Sequence, residues 1–356
     1  MQTRSFEKPF ELVDYTEELL LVPNKWGLIN ELGLFGEEGV AQHSVTVESS
    51  EGTLGLVTDK IRGERNNVAK SDTRALRSFA IPHFPMDDAV KPEDVQGKRA
   101  YGSADQAETE AAVIARKLER IRMNHSVTLE AARAYAITVG AIYAPNGTVA
   151  GNFYTDFGIT RKSIDFVLGT STTDLNAKSE EGIAHIQDTI QSGEVVSNII
   201  VLCSPAFFGK LINHATVKEA YKYYTSTQEP LRNRLGSGVY RRFVHGGVEY
   251  IEYRGSYNGT ALIPAGEAYM LPQGTSDMFK TYFSPANKFS HVNTIGEQAY
   301  VFTYRDPKDS EIQIQSEANF LNLIRRPQAV VQLTTSNWWL PFGAFWCNLD
   351  SLFGGV

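Results

Sequence analysis

The stretch from Ser103 to Gly140 most constrains what this chain can fold into. It reads SADQAETEAAVIARKLERIRMNHSVTLEAARAYAITVG, with no proline and no glycine before Gly140. Ile114, Leu118, Ile121, His125, Leu129, Ala132, Ala136 and Val139 recur at intervals of three and four, which makes one stripe on a helix. Ser103 and Gln106 have the spacing of a capping box, and Gly140 is placed to stop the helix. At 1.5 Å per residue the predicted helix is roughly 55 Å long, against a mean of ~11–12 residues for globular helices. The stripe is narrow and alanine-rich, so the helix is expected to lie on a flat partner such as a sheet. A coiled coil is disfavoured, because no heptad is sustained and nothing similar follows.

The segments before this helix are of two kinds. Residues 1–42 read as an arm. Phe6, Phe10, Leu12, Tyr15, Leu19, Leu20 and Trp26 come in short pieces broken by Pro9, Pro23, Gly27, Gly33, Gly36 and Gly39. Such a segment closes no core of its own. It must lie on its own domain or reach a neighbouring subunit. A short helix is expected around Asp14–Leu20. Residues 43–82 read as an extended β-excursion. Ser44–Glu48 and Thr53–Thr58 alternate with period two, with Ser49–Gly52 as the turn between them. A basic tip carrying Arg62, Arg65, Lys70, Arg74 and Arg77 follows, and then a returning strand from Arg74 to Pro82. Residues 83–102, with Pro85 and Pro92, read as a hinge or short helix.

After the helix, Asn146-Gly147 is the strongest short hairpin signal, and Ile164–Leu168 adds a strand. Residues 174–299 read as an α/β unit. It comprises a helix at 176–192, a buried strand Asn198–Cys203, and a helix opening at Pro205. A short helix at Val217–Tyr224 and a polar loop at Arg232–Ser237 follow. Then come strands at Val239–Val244 and Val248–Tyr253 around His245-Gly246-Gly247, a strand at Pro264–Leu271, and a loop-rich 274–299. Residues 300–335 return to strands at Tyr300–Tyr304 and Glu311–Glu317, with partial helix expected over Ser316–Leu323. A last strand is expected at Ala329–Leu333.

The 356 residues carry a net charge of −7, which argues against a general nucleic-acid binder. Cys203 and Cys347 make no disulfide framework, which fits a reducing compartment. The N-terminus shows no signal-peptide pattern, and no apolar run reaches the ~18–20 residues of a membrane span. The seven histidines are scattered, with none at metal-ligand spacing. His125 reads as a satisfied core residue, and Cys203 as a buried one. Gly236-Ser237-Gly238 lacks the lysine of a phosphate loop. Asp87-Asp88 and Glu180-Glu181 lie on solvated segments without the apolar setting that separates two pKa values. The Asn146 and Asn258 sequons read as turns. No catalytic residue, cofactor or metal is expected.

The last residues, SNWWLPFGAFWCNLDSLFGGV, hold three of the four tryptophans. After Pro341, Phe342, Phe345, Trp346, Leu349 and Phe353 fall at helical spacing and predict an amphipathic helix with an aromatic face. It is expected to dock on its own fold, on a neighbouring copy, or at a membrane surface.

The order of parts is extended arm, β-excursion with a basic tip, long helix, hairpin, α/β unit and strand return. It resembles the major capsid proteins of tailed bacteriophages, with the Hong Kong 97 capsid fold, and within them the lambda-type capsid protein E family. The stretches NIIVLCSPAFFGKLINHATVKEAY, VYRRFVHGGVEYIEYRGSY, PAGEAYMLPQG and IQIQSEANFLNLIRRPQAVVQL carry the likeness, over about residues 10–335. The resemblance implies an α+β fold with an N-terminal arm (1–42), an extended loop (43–82) and a peripheral domain (83–173, with spine helix 103–140). It further implies an axial domain (174–299), peripheral return strands (300–335), and a tail (336–356) beyond the family's pattern. It implies pentameric and hexameric capsomers closing an icosahedral shell around packaged double-stranded DNA in the virion, assembled in the host bacterial cytoplasm. Decoration, scaffold and portal proteins are the further partners it implies, and no membrane is expected. Some relatives crosslink a lysine to an asparagine; Lys60 and Lys70 lie in the extended loop, and no crosslink is assigned. Expected inter-subunit contacts are Phe6, Phe10, Trp26, Arg62, Arg65, Lys70, Arg74, Trp338, Trp339, Phe342, Phe345 and Trp346. The alternatives are an encapsulin-like non-viral compartment shell and a soluble α/β enzyme.

Overall fold

A computed structural model describes residues 13–14, 27–51, 73–96, 109–190, 195–218, 240–257 and 259–335. The chain opens with β1 (Val13–Asp14), the helical turn α1 (Leu28–Glu31), β2 (Gly36–Gly39), β3 (Ser44–Glu51), β4 (Thr73–Ala80), β5 (His83–Val90) and the turn α2 (Pro92–Val95). The long helix α3 (Glu110–Thr138), α4 (Phe153–Asp156), β6 (Ser163–Asp165), α5 (Leu175–Thr189), β7 (Asn198–Cys203) and α6 (Pro205–Asn213) follow. Then come β8 (Arg242–His245), β9 (Val248–Glu252), β10 (Ser256–Tyr257), β11 (Thr260–Ala261) and β12 (Glu267–Gln273). The last strands are β13 (Phe279–Phe283), β14 (Tyr300–Arg305), β15 (Ile312–Ile324) and β16 (Val331–Thr334).

Helix α3 has 29 residues, so it is roughly 43 Å long. Its start differs from the expectation. Thr109 is the N-cap, and its hydroxyl accepts from Ala112 N at 3.2 Å; the Ser103–Gln106 pair lies outside the described residues. The stop is as expected. Gly140 has φ +74°, and a Cβ there would run into the Tyr154 ring, so the position demands glycine twice over. Ile114, Leu118, Ile121, Leu129 and Ala132 are buried against Phe283, Val301, Ile312, Ile314 and Phe320 of a sheet. The flat partner predicted from the narrow stripe is that sheet.

The sheet runs in the order β1-β14-β15-β13-β2, with β5 also on β15. Its axis is the 13-residue β15. The first half of β15 pairs with β14 and β5, and its second half with β13. Three expectations are corrected here. Ser316–Leu323 is strand throughout, because SEANFLNLI is buried on both faces and so loses the alternation that marks a strand. His83–Val90 is a strand rather than a hinge. Among the described residues β5 pairs only with β15, and an edge strand tolerates Pro85. Phe279–Phe283, within the loop-rich stretch, is also a strand.

The second sheet runs β6-β16-β12-β7-β9-β8. β7 and β9 are parallel, with α6 between them in sequence. Phe207, Phe208 and Leu211 of α6 are fully buried. Ser204 caps α6, accepting from Phe207 N, and Pro205 supplies the first helical residue. Gly246 and Gly247, with φ +58° and +75°, make the two-residue turn between β8 and β9. The Asn146-Gly147 turn is present, with Gly147 N donating to Ala144 O. It closes only a single bridge, Ala141 to Asn152, rather than a ladder.

β3 and β4 pair antiparallel from Ser44↔Ala80 to Glu51↔Thr73. Ser49, Ser50 and Glu51 therefore continue the strand instead of turning. The Thr53–Thr58 strand, the Asp14–Leu20 helix, the Arg232–Ser237 loop and the aromatic tail lie outside the described residues. Residues 215–218 are helical, which begins the helix expected at Val217–Tyr224.

Phe320 stacks on Phe84 with ring centroids 4.6 Å apart, between β15 and β5. Phe320→Ala is expected to lower unfolding free energy by about 3–5 kcal/mol. Urea denaturation of the protomer, followed by fluorescence, would show a shift of that size.

Candidate functional site

A polar joint on one turn of α3 ties distant parts of the protomer together. A helix of four residues such as α1 leaves its first N–H groups without intrahelical partners. Its N-cap, Gly27, has no side chain with which to cap them. Glu130 does so from another element. Its Oε1 accepts from Ile29 N and its Oε2 from Asn30 N, each at 2.9 Å. Gly27 has φ +99°, and any Cβ there would strike the Glu130 carboxylate. Tyr253, just past β9, donates its hydroxyl to Oε1 at 2.9 Å. Burial raises the Glu130 pKa, opposed by the Ile29, Asn30 and Tyr253 hydrogen bonds and by Arg133.

One turn on, Arg133 is 2% exposed. Its Nη1 donates to Asn30 Oδ1 at 2.7 Å. Its Nη2 donates to Glu37 Oε1 on β2 at 2.8 Å and to Thr281 Oγ1 on β13 at 3.1 Å. Thr281 Oγ1 in turn donates to Asn322 Oδ1 on β15 at 2.8 Å, and the guanidinium lies 5.4 Å over the Phe35 ring. Two side chains thus tie the N-terminal segment, the spine helix and both sheets together. Residues 27–39 therefore pack on their own fold, with Leu28, Ile29, Leu34 and Phe35 buried.

His125 is buried as expected. Ser316 Oγ donates to Met86 O at 2.6 Å, which leaves the serine oxygen to accept from His125 Nε2 at 3.0 Å. Burial, with Arg122 adding to it, holds the His125 pKa down to about 4. Next to Tyr253 in the chain, Glu252 is 2% exposed and holds Arg241 at 2.5 Å and Arg254 at 2.7 Å. The Arg241 hydrogen bond, with help from Arg254, keeps the Glu252 pKa below its ordinary value.

Among the described residues no group of three His, Cys, Asp or Glu side chains could hold a metal ion. No helix among them is long and apolar enough to cross a membrane. Asp88 is paired with Lys117 and Glu181 with Lys162, each at 2.8 Å, as surface carboxylates.

Of the expected contact residues, Phe6, Phe10, Trp26, Arg62, Arg65, Lys70, Trp338, Trp339, Phe342, Phe345 and Trp346 lie outside the described residues. Arg74 lies on β4, where its backbone pairs with Ser50. Glu130 and Arg133 were missed in the sequence. Their signal was a second row of polar residues along α3, Arg122, Ser126, Glu130 and Arg133, at intervals of three and four.

A spine helix across one sheet, an α/β unit and a paired β3–β4 ribbon are the architecture of a phage capsid protein of the Hong Kong 97 type. The capsid of Myoviridae phage XM1 has a similar fold, with a TM-score of 0.52 and 9% identity over 90% of this chain and 98% of that one. The profile of the phage major capsid protein E family matches residues 11–335, and the chain belongs to that family. It is 47% identical to the major capsid protein of Pseudomonas phage KPP10, over 92% of this chain and 97% of that protein. It is 27% identical to the major capsid protein of Salmonella phage Felix O1, over 94% of this chain and 98% of that protein. This is a family of structural proteins, not of enzymes, and its members form the capsid of the virion.

Two outcomes follow from the joint. Glu130→Ala leaves the Ile29 and Asn30 amides without their acceptor, at a cost of roughly 1–3 kcal/mol each. Hydrogen exchange is expected to lose protection across residues 28–31 while β7 and β9 keep theirs. For His125 the folded pKa lies below the ~6.5 of the unfolded chain. Its contribution is fully present above pH 6.5 and is lost as pH falls towards 4, by about 3 kcal/mol in all. Unfolding free energies of wild type and His125→Gln, measured from pH 7 to pH 4, should converge by that order of magnitude.

Proposed function

We propose that this chain is the major capsid protein of a tailed phage, and that many copies of it close into the icosahedral head shell that encloses the packaged DNA. The observation that carries the reading is the family match across residues 11–335, on a protomer whose spine helix, both sheets and N-terminal segment meet at one buried polar joint. A shell subunit needs both: a body that keeps its shape in every lattice position, and extensions that reach adjoining copies.

The division of labour follows the same reading. Residues 1–42 supply the arm and 43–82 the extended loop. Residues 83–173 and 300–335 supply most of the peripheral domain, and 174–299 the axial domain about the five-fold and six-fold positions. β6 pairs with β16, and β16 with β12, which favours counting these two strands with the axial unit. The basic tip (Arg62, Arg65, Lys70, Arg74), the N-terminal aromatics (Phe6, Phe10, Trp26) and the tail (Trp338, Trp339, Phe342, Phe345, Trp346) are the proposed inter-subunit contacts. The protein acts without a catalytic site or cofactor. It assembles in the host cytoplasm with portal, scaffold and decoration proteins as further partners. Its net charge of −7 suits an inner face that contains DNA without gripping it.

Negative-stain microscopy and light scattering of the purified protein test this reading. Closed particles or ring-shaped capsomers are expected, and a monodisperse monomer at high concentration would overturn it. Particles from infected cells should contain phage DNA, whereas a cargo compartment would contain protein. Deleting Trp338–Val356 is expected to reduce particle yield more than it changes the melting temperature of the protomer.

A further inference from the structure

The connection between β13 and β14 places three large apolar side chains in water within seven residues. Phe289 is 100% exposed, Val292 58% and Ile295 71%. Among the other described residues, exposed large apolar side chains stand singly along the sequence, as any monomer allows.

The loop that carries them is held firmly. Asn287 N donates to Glu317 Oε2 at 2.9 Å, and Lys288 Nζ to Gln315 Oε1 at 2.6 Å. Asn319 Nδ2 donates to Pro285 O at 3.0 Å. His291 packs edge-on against Tyr300 and Phe302. Gly296 N donates to Val40 O at 3.1 Å, at a crossing where a Cβ on Gly39 or Gly296 would strike backbone. The underside of the loop is therefore committed to its own fold, and the apolar tips are held outward.

Beside Phe289 lies a groove of about 720 Å³ between this loop and residues 41–44 at the root of β3, with Ala41, Pro285, Ala286 and Val292 among its walls. One surface thus presents a protruding aromatic ring at the rim of an open groove. Residues 289–296, FSHVNTIG, contain no Asp, Glu, Lys or Arg, in a chain of net charge −7. Two copies of an acidic protein repel each other over most of their surfaces, and they approach at least cost where charge is missing. A ring and a groove whose walls hold no carboxylate, and whose one lysine, Lys288, is tied to Gln315, suit an identical partner.

We propose that Phe289 of one copy seats in the groove between Ala41 and Pro285–Ala286 of another, making loop 285–295 a contact between copies in the shell. The contact buries an aromatic anchor in a pocket, the arrangement that concentrates binding energy in few residues. The proposal rests on the shell reading, and the experiment separates the two.

Phe289→Ser touches no core atom, so the protomer should keep its circular dichroism and melting temperature. Particle yield on a sucrose gradient is expected to fall about ten-fold or more, the loss of one anchoring contact. In a Cys347→Ala background, particles co-assembled from Ala41→Cys and Phe289→Cys proteins should give disulfide-linked dimers on a non-reducing gel after mild oxidation. Neither protein alone should do so. Wild-type yield from Phe289→Ser, or particles that never crosslink, would overturn the contact and leave the shell reading standing. If wild type itself forms no particles, the shell reading fails and this contact fails with it.

Discussion

Glu130 and Arg133 carry opposite charges out of water on a single turn of the spine helix. Ionised groups can be buried only where their lone pairs and N–H groups find partners, and removing one partner of such a pair costs about 3–5 kcal/mol. Here the partners come from distant parts of the chain: Ile29 N and Asn30 from the N-terminal segment, Glu37 from β2, Thr281 from β13 and Tyr253 from beyond β9. The helix, both sheets and the segment 27–39 can therefore be assembled only together. The dependence is mutual, since the frame of α1 lacks a cap unless Glu130 supplies it.

This constraint explains how one chain can be rigid and far-reaching at once. The joint and the buried faces of α3 and β15 spend the chain's polar and apolar complementarity inside the protomer. What is left over is of another kind: the β3–β4 hairpin, and a loop that holds Phe289, Val292 and Ile295 in water. A family whose members build capsids has a use for both classes of feature. The first fixes the subunit's shape, and the second is the surface proposed above to meet adjoining copies.

Much of the framework was legible in the sequence. The stripe from Ile114 to Ala136 announced the spine helix and its flat partner, because a surface helix writes its burial at a period its neighbours cannot hide. Asn198–Cys203 announced a buried strand and Pro205 the start of a helix, both where the structure has them. The misreadings share a cause. β15 is buried on both faces along much of its length, so its alternation disappears and SEANFLNLI reads as ambiguous. β5 carries Pro85 and Asp87-Asp88, which look like a hinge unless one knows that only one edge of the strand is paired. Ser49–Glu51 has turn chemistry, yet Arg74 and its neighbours lie opposite and hold it extended. The joint was hidden for a stronger reason. Glu130 and Arg133 look like ordinary solvated helix charges, and their partners lie about 100 residues before them and about 120 to 150 after. Only the folded topology brings them together.

A cryo-EM reconstruction of particles assembled from this protein, at a resolution that places side chains, is the most direct test. The prediction is that in every lattice position residues 27–39 lie on the α3 helix of their own chain, with Glu130 bonded to the Ile29 and Asn30 amides. A reconstruction in which that segment leaves its own spine helix to lie on a neighbour's, with Glu130 and Arg133 re-partnered or open to water, would contradict it.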